Sequence, residues 1–538
     1  MQEESRFEMV AKTFQGLEEV LAEELRNLGA DDVAPGRRMV SFTGDLAMLY
    51  RANMCCRTAL RILKPIYRFT ASDTEQLYDR VKQFDWSTLL SVDKTFSIDP
   101  VVYSDTFTNS RYVTYRVKDA IVDWFKDRYG ETKRPGVRLT DADVMINVHI
   151  SGRDVTISLD SSGESLHKRG YRVAQTEAPI NEVLAAGIIL MSGWRGDTPF
   201  IDPMCGSGTF LIEAAMIAAG IMPGIYRQKF AFESWPDFDA DLFEEIFNDD
   251  SAEHEPAGVI YGSDISPRAI AIAERNIKQA GVARYIKLNQ RALSAWDEVP
   301  DEGFPGVLVT NPPYGERIEA DDMHGLYALL GSKLKHLFKG YHAWIIGYHD
   351  EYFHDIGMHP SLKVSVLNGS LECELREYIS FEGDIRSFKE SGGSIASSRK
   401  NMKSEPSKQR RHKDFVDDEK RMKKDKSVKG PRKFRDREES YGKRRDDRHD
   451  HHDRYDRKER HDRKDSFKRG AKADFSEEEY IDRSDKFAWR RSHDEGYPKV
   501  TGKKPSLPAS ASVPPSGTDP DTGVVMRSRR GWKRKNNQ

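Results

Sequence analysis

The apolar positions of this chain follow two periods, one near 3.6 and one near 2, and their order divides it. Leu17, Val20, Leu21, Leu25 and Leu28 share one helical face, so residues 16–28 read as an amphipathic helix stopped by Gly29. Strands are expected at 6–11 and 38–42, with a second helix at 45–52. A further unit follows from Cys55, with helices at 73–84 and 110–129. Its strands fall at 95–102, 144–150 and 154–159, the last two joined as a hairpin by Ser-Gly-Arg-Asp. From residue 200 onward short apolar runs alternate with helical stretches. Strands are expected at 200–202, 259–264, 307–310 and 343–348, with another ending near 288–290. Helices are expected after Thr209, from Ser266 to Gly281 and over 323–338. Asn368-Gly369, between the apolar runs 362–367 and 370–379, is a hairpin signal. Alternating strand and helix is the pattern of a nucleotide-type α/β fold.

Three stretches of that alternating region carry chemistry. Residues 200–209 read FIDPMCGSGT: an apolar run ends in Asp202, and a small-residue loop leads into a helix. Gly206 and Gly208 let the backbone turn tightly and approach a ligand, although a lone glycine loop is equally a plain turn. Phe210, Leu211, Ala214, Ala215 and Ile217 give the helix an apolar face. The second stretch is YGSDIS at 261–266. Ser266 and Pro267 read as N-cap and first helical residue, so Asp264 sits at a strand tip. There its carboxylate either accepts hydrogen bonds from a ribose diol or merely caps the helix. The third is VLVTNPPYGER at 307–317. Two prolines fix a rigid turn at the end of a buried strand. The exocyclic amine of a base is a poor nucleophile because its lone pair is delocalised into the ring. The Asn311 side-chain oxygen and the Pro312 carbonyl would accept hydrogen bonds from that amine and orient its lone pair. Pro313 stiffens the turn and Tyr314 is placed to stack on the base. The plain alternative is a structural Pro-Pro turn with a packed tyrosine.

Together FIDPMCGSGT, GSDIS and NPPYGER resemble the class I S-adenosylmethionine-dependent methyltransferases that modify amino groups of bases. DSSGESLHKRGYR at 160–172, followed by APINEVLAAGIIL, narrows the resemblance to the THUMP-linked bacterial 23S rRNA guanine-N2 methyltransferases. It covers roughly residues 1–385. It implies a ferredoxin-like segment at 1–54, an α/β THUMP RNA-binding domain at 55–165 and a Rossmann-like methyltransferase domain at 166–385. The implied cofactor is S-adenosylmethionine, held by Asp202, Pro203, Cys205, Gly206, Gly208, Thr209, Asp264 and Ile265. Many relatives place an acidic residue against the adenine amine; this chain has Asn289 and Gln290 there, either of which offers a side-chain oxygen. The implied partner is 23S rRNA, naked or partly assembled. Some relatives carry a second methyltransferase domain; no second glycine loop or Asn-Pro-Pro motif occurs here, so that second activity is not expected. A hairpin closing an otherwise parallel sheet would separate this fold from a dehydrogenase.

Charge changes the picture at one point. Residues 386–538 hold 45 Lys and Arg against 28 Asp and Glu, a net of +17, which leaves 40 against 59, a net of −19, for residues 1–385. An acidic body is not drawn to RNA by its net charge, so local basic features must supply the attraction. Arg128, Lys133, Arg134 and Arg138 on the segment 126–139 are candidates for phosphate contact, against a solvated loop. His167, Lys168, Arg169 and Arg172 around Tyr171 would grip RNA at the domain junction, or else form a structural hinge. Residues 386–538, dense in charge and poor in aliphatics, are expected to be a disordered basic tail that tethers RNA.

The aromatic stretch Phe230, Phe232, Trp235, Phe238, Phe243 either covers a ligand or is core. Cys55, Cys56, Cys205 and Cys373 show no metal-type spacing and read as reduced thiols, so no metal is expected and the protein is expected in the cytoplasm. No apolar run reaches the ~18 residues of a membrane span, and the polar start is not a signal peptide. The leading expectation is methyl transfer to guanine N2 in 23S rRNA. A tRNA or adenine-N6 methyltransferase, and a non-catalytic RNA-binding assembly factor driven by the tail, remain as alternatives.

Overall fold

The computed structural model describes residues 6–176, 179–300, 306–313, 320–348, 351–369, 371–381 and 383. The expectations for Tyr314 and for the tail from residue 386 lie outside these.

The first strand, β1 (Phe7–Lys12), buries Met9 and Ala11 on alternate positions. The helix α1 (Glu18–Asn27) turns Val20, Leu21, Ala22 and Leu25 inward. Next come β2 (Asp31–Gly36) and β3 (Met39–Gly44), then α2 (Leu46–Cys55), whose Asp45 cap accepts from the Met48 amide. The strand β2 was not expected, and its composition says why. DDVAPG has no apolar alternation and includes a proline, and it pairs only with β3, at the edge of the sheet where such a sequence is tolerated. The long strand β4 (Arg61–Thr70) follows. Asp73 caps α3 (Thr74–Gln83), β5 (Thr95–Tyr103) comes next, and Asn109 caps α4 (Ser110–Tyr129). The short β6 (Gly136–Val137) and the hairpin β7 (Val144–Ser151) and β8 (Asp154–Asp160) complete the set.

All eight strands form one sheet in the order β2-β3-β1-β4-β8-β7-β5-β6. Continuity comes from β4, which is antiparallel to β1 on one side and to β8 on the other. The basic residues along this strand are occupied within the sheet. Arg61 pairs with Asp160, Arg68 with Glu8, and the Lys64 ammonium lies 4.1 Å from the Phe7 ring centre.

The second sheet begins after α5 (Glu182–Ser192), capped by Asn181. Its elements are β9 (Phe200–Asp202), α6 (Thr209–Ala218), α7 (Ala240–Asn248), β10 (Ile260–Asp264), α8 (Pro267–Gln279), β11 (Ile286–Gln290) and β12 (Val307–Thr310). They continue with α9 (Ala320–His336), β13 (His342–Gly347), β14 (Leu362–Asn368) and β15 (Leu371–Ile379). The order is β11-β10-β9-β12-β13-β15-β14. The first five positions run parallel, and β15 is antiparallel to β13 and β14, the closing hairpin expected at Asn368-Gly369. From β9 the chain moves outward to β10 and β11, then returns to β12 on the other side of β9. That reversal opens a crevice at the carboxyl ends of β9 and β12.

The aromatic insertion between α6 and β10 is core, and it belongs to the core of the first sheet. Tyr50 of α2 stacks on Phe232 with ring centres 4.5 Å apart, and Phe230 stacks on Phe232 at 5.2 Å. The Tyr50 hydroxyl accepts from the Asp239 amide at 3.0 Å. The insertion therefore fastens one sheet to the other and does not cover the crevice. No helix among the described residues is long and apolar enough to cross a membrane.

Candidate active site

The crevice is built from the tips of three strands. Asp202 ends β9, fully buried, with its Oδ1 accepting from the Met204 amide at 3.2 Å and from the Thr310 hydroxyl at 2.9 Å. Burial pushes this carboxyl up to about 7; the Thr310 and Met204 bonds pull the other way, and Asp264 adds to the rise. Beyond it the loop is stitched to β10 by Ser263. The Cys205 amide donates to the Ser263 carbonyl at 2.9 Å, and the Ser263 hydroxyl donates to the Pro203 carbonyl at 3.2 Å.

Gly208 has φ +81°, and a Cβ there would lie 3.2 Å from the Ala273 Cβ, so the missing side chain lets α8 pack close. Gly206 has φ +53°, and its missing Cβ would meet only the Thr176 hydroxyl, at 3.8 Å, leaving a cradle open to a ligand. The Cys205 thiol is buried and pushed well above its usual range, by burial first and then by Asp202 and Asp264. It is a neutral packing group, with none of the features of a reactive thiolate.

At the tip of β10 the Asp264 carboxylate accepts from the Gly206 amide at 3.0 Å and from the Ser266 amide at 2.9 Å. It thus joins the loop to the segment that enters the next helix while staying half exposed at the crevice; the helix cap itself is Ser266. Ile265 beside it is 71% exposed, an apolar side chain offered to a flat ligand face. Asn289 and Gln290 end β11 in register with Ser263 and Asp264, both exposed. They line a cavity of about 700 Å³ with Gly262, Ala292 and Trp296. Trp296 is held by its ring N–H, which donates to the Ser263 hydroxyl at 3.0 Å.

On the other side, β12 delivers Asn311 and Pro312 next to the β9 loop. The Asn311 Oδ1 is buried and has no hydrogen-bond partner among the described residues. A buried acceptor left unpaired is costly, and one at a strand tip in a crevice is able to take a donor from a ligand. Pro312 is buried and Pro313 half-buried.

The expected RNA residues divide. Arg128, Lys133, Arg134 and Arg138 are exposed around the end of α4 and β6, and the Arg128 guanidinium lies 3.9 Å from the Trp124 ring centre. Lys168 is exposed and paired with Glu164 at 2.7 Å. The remaining three do not form an RNA grip. Arg169 is only 2% exposed and is spent on Glu213 and on the Leu166 and Arg57 carbonyls. His167 is held near 4 by burial and then by Arg169, so it is neutral at pH 7. Arg172 turns inward to Glu182, Ser207 and Thr209. Tyr171 is buried too, with its hydroxyl on Glu213 at 2.9 Å. The segment is a strut, the hinge alternative in rigid form.

Thr310, Ser263 and Asn276 escaped sequence reading. Glu213 had a visible signal, as a lone acid inside the apolar helix TFLIEAAMIA, every residue of which is buried.

This is the architecture of a class I, S-adenosylmethionine-dependent methyltransferase. Residues 169–377 match the RMKL-like methyltransferase domain, 8–63 the RlmL ferredoxin-like domain and 71–160 the THUMP domain. The chain is 37% identical over 374 residues to a putative RNA methyltransferase, slr0064, of Synechocystis sp., covering 68% of this chain and 95% of that one. It is 38% identical over 375 residues to the ribosomal RNA large subunit methyltransferase K/L of Syntrophotalea carbinolica, covering 68% of this chain and 52% of the relative. It thus spans about half the length of that protein. Among solved structures, SMU.472, a putative methyltransferase complexed with SAH, is 32% identical with a TM-score of 0.63, over 70% of this chain and 99% of that one. A possible methylase from Clostridium difficile 630 is 32% identical with a TM-score of 0.64, over 71% of this chain and all of that one. The chain belongs to the THUMP-containing RMKL-like methyltransferases.

Proposed function

We propose that this chain transfers a methyl group from S-adenosylmethionine to the exocyclic N2 amine of a guanine in 23S rRNA. The observation that carries the reading is the unpartnered Asn311 Oδ1 at the tip of β12, beside the glycine-turned loop. The name of the K/L relative supports the choice of large-subunit rRNA, and the SAH bound by SMU.472 supports the cofactor.

The residues present fit that cofactor. The open cradle at Gly206 admits backbone approach, Asp264 suits a ribose diol, Ile265 an adenine face, and Asn289 or Gln290 the adenine amine. S-adenosylmethionine, when bound, supplies a methyl on a sulfonium sulfur: the amine lone pair forms the new nitrogen–carbon bond as the carbon–sulfur bond breaks, sulfur keeps that electron pair, and the surplus amine proton leaves to solvent. The protein's part is positional and electrostatic. Asn311 Oδ1 and the Pro312 carbonyl accept from the amine, which turns its lone pair toward the methyl and stabilises positive charge as it grows on nitrogen. The Pro312-Pro313 turn keeps both acceptors in place with little entropy left to lose. A paired guanine must be turned out to reach them, which favours protein-free or partly assembled rRNA as substrate.

The test uses the purified chain, methyl-labelled cofactor and protein-free 23S rRNA, digested to nucleosides. Label should appear in N2-methylguanosine. Asn311→Ala should lower kcat by about 10²–10³-fold, the usual loss for one such polar group, while cofactor affinity is retained. Label in N6-methyladenosine, label only with tRNA as substrate, or an active Asn311→Ala would overturn the reading.

A further inference from the structure

We propose that Arg172 is a positioning residue for the cofactor loop, and that the strut at 169–174 is the part of the chain that sets that loop before any ligand arrives. The proposal rests on the reading that this loop holds S-adenosylmethionine. It reassigns a residue whose composition and place pointed to RNA.

The Arg172 guanidinium reaches across Gly208. Its Nη1 donates to the Ser207 hydroxyl at 3.1 Å, and its Nη2 donates to the Thr209 hydroxyl at 3.0 Å and to the Ile180 carbonyl at 3.2 Å. Its Nε donates to Glu182 at 2.7 Å, and Glu182 is itself buried in the first turn of α5. The planar fork of an arginine thus ties the loop residue Ser207, the first residue of α6 and the start of α5 into one unit. The other side of the loop is held as firmly. Asn276, buried on α8, donates through Nδ2 to the Ser207 carbonyl at 3.0 Å and to the Ala174 carbonyl at 2.9 Å. Its Oδ1 accepts from the Val173 and Ala174 amides at 3.0 and 3.2 Å. Ser207 is therefore pinned by its hydroxyl and by its carbonyl, and each pin runs through strut residues 172–174.

The strut is anchored further back. Arg169 and Tyr171 both end on Glu213, one turn into α6, and Arg169 also donates to the carbonyl of Arg57. The Arg57 guanidinium in turn donates to the Met216 and Ile221 carbonyls at the end of α6. The strut's side chains thus grip α6 at its start and middle, and Arg57, between α2 and β4, holds its end. A loop held this way has little freedom left to lose on binding, which favours affinity.

The measurement is calorimetric titration of the full chain with S-adenosylhomocysteine and, separately, filter binding of 23S rRNA without cofactor. Arg172→Gln should weaken S-adenosylhomocysteine by about 10–100-fold, the scale of losing charged hydrogen bonds at a buried site. In turnover it should raise KM for S-adenosylmethionine more than it lowers kcat. Its rRNA affinity should match wild type, and Arg172→Lys should recover part of the loss. Should Arg172→Gln fold poorly, Ser207→Ala removes one acceptor and leaves the Glu182 pair, and it should show a smaller loss of the same kind. Normal cofactor affinity in both variants, or weakened rRNA binding with cofactor affinity intact, would overturn the proposal. Failure of the wild type itself to bind S-adenosylhomocysteine would instead sink the cofactor reading on which it rests.

Discussion

At the scale of single residues, Asp202 shows how the crevice handles charge. Its carboxyl is buried, bonded through one oxygen to Thr310 and Met204, and raised to about 7. The folded protein therefore holds this proton more tightly than the unfolded chain does. The stability that comes from that proton is full below the ordinary carboxylate range and is lost as pH rises through about 7. The melting temperature of the ligand-free protein should fall between pH 5 and pH 8 in part for this reason, and Asp202→Asn should flatten the profile. An unchanged slope in the variant would show that Asp202 is not the titrating group. At this scale the sequence was legible where a residue type has few uses. Asp264 and Asn311 stood out because a carboxylate and an amide at strand tips are chemically pointed. Arg169 and Arg172 misled because an arginine's charge is visible in sequence while its partner is not. Glu213 and Glu182, which turn them inward, lie 44 and 10 residues away.

At the scale of elements, the aromatic insertion and the strut replace an interface of the usual kind. Phe232 is buried and stacked between Tyr50 and Phe230, so an insertion between elements of the second sheet is built into the core of the first. Phe232→Ala should cost about 3–5 kcal/mol of stability, the range for deleting a buried aromatic, seen as a lower melting temperature. Affinity for S-adenosylhomocysteine, measured below the transition, should stay near wild type because the insertion lies away from the crevice. A large loss of that affinity in the folded variant would contradict this placement. Many elements were legible because their caps are local: Asp45, Asp73, Asn109 and Ser266 each accept from an amide two or three residues on. The strand β2 was illegible because edge pairing asks nothing of its side chains. The full burial of α6 was hidden as well, since α5 covers the side that periodicity would leave to solvent.

At the scale of the molecule, an acidic body must still meet a polyanion. Arg128, Lys133, Arg134 and Arg138 are exposed around the end of α4 and β6, whereas Arg169 and Arg172 of the strut are spent on internal partners. Replacing Lys133 and Arg134 together by Ala should weaken rRNA binding and lower the salt slope by about one unit per lost phosphate contact. An unchanged slope would move the RNA surface elsewhere. The continuity of the eight-stranded sheet through β4 was not visible in sequence, because the pairing of β4 with both β1 and β8 depends on partners far apart in the chain. The central claim is that Asn311 presents an acceptor to a guanine amine of 23S rRNA. Its most direct test is nucleoside mass spectrometry of rRNA and tRNA from cells lacking this protein, complemented with wild type or Asn311→Ala. The expected result is the loss of one N2-methylguanosine from large-subunit rRNA, restored by wild type and not by the variant. Unchanged rRNA, with the loss found in tRNA or nowhere, would contradict it.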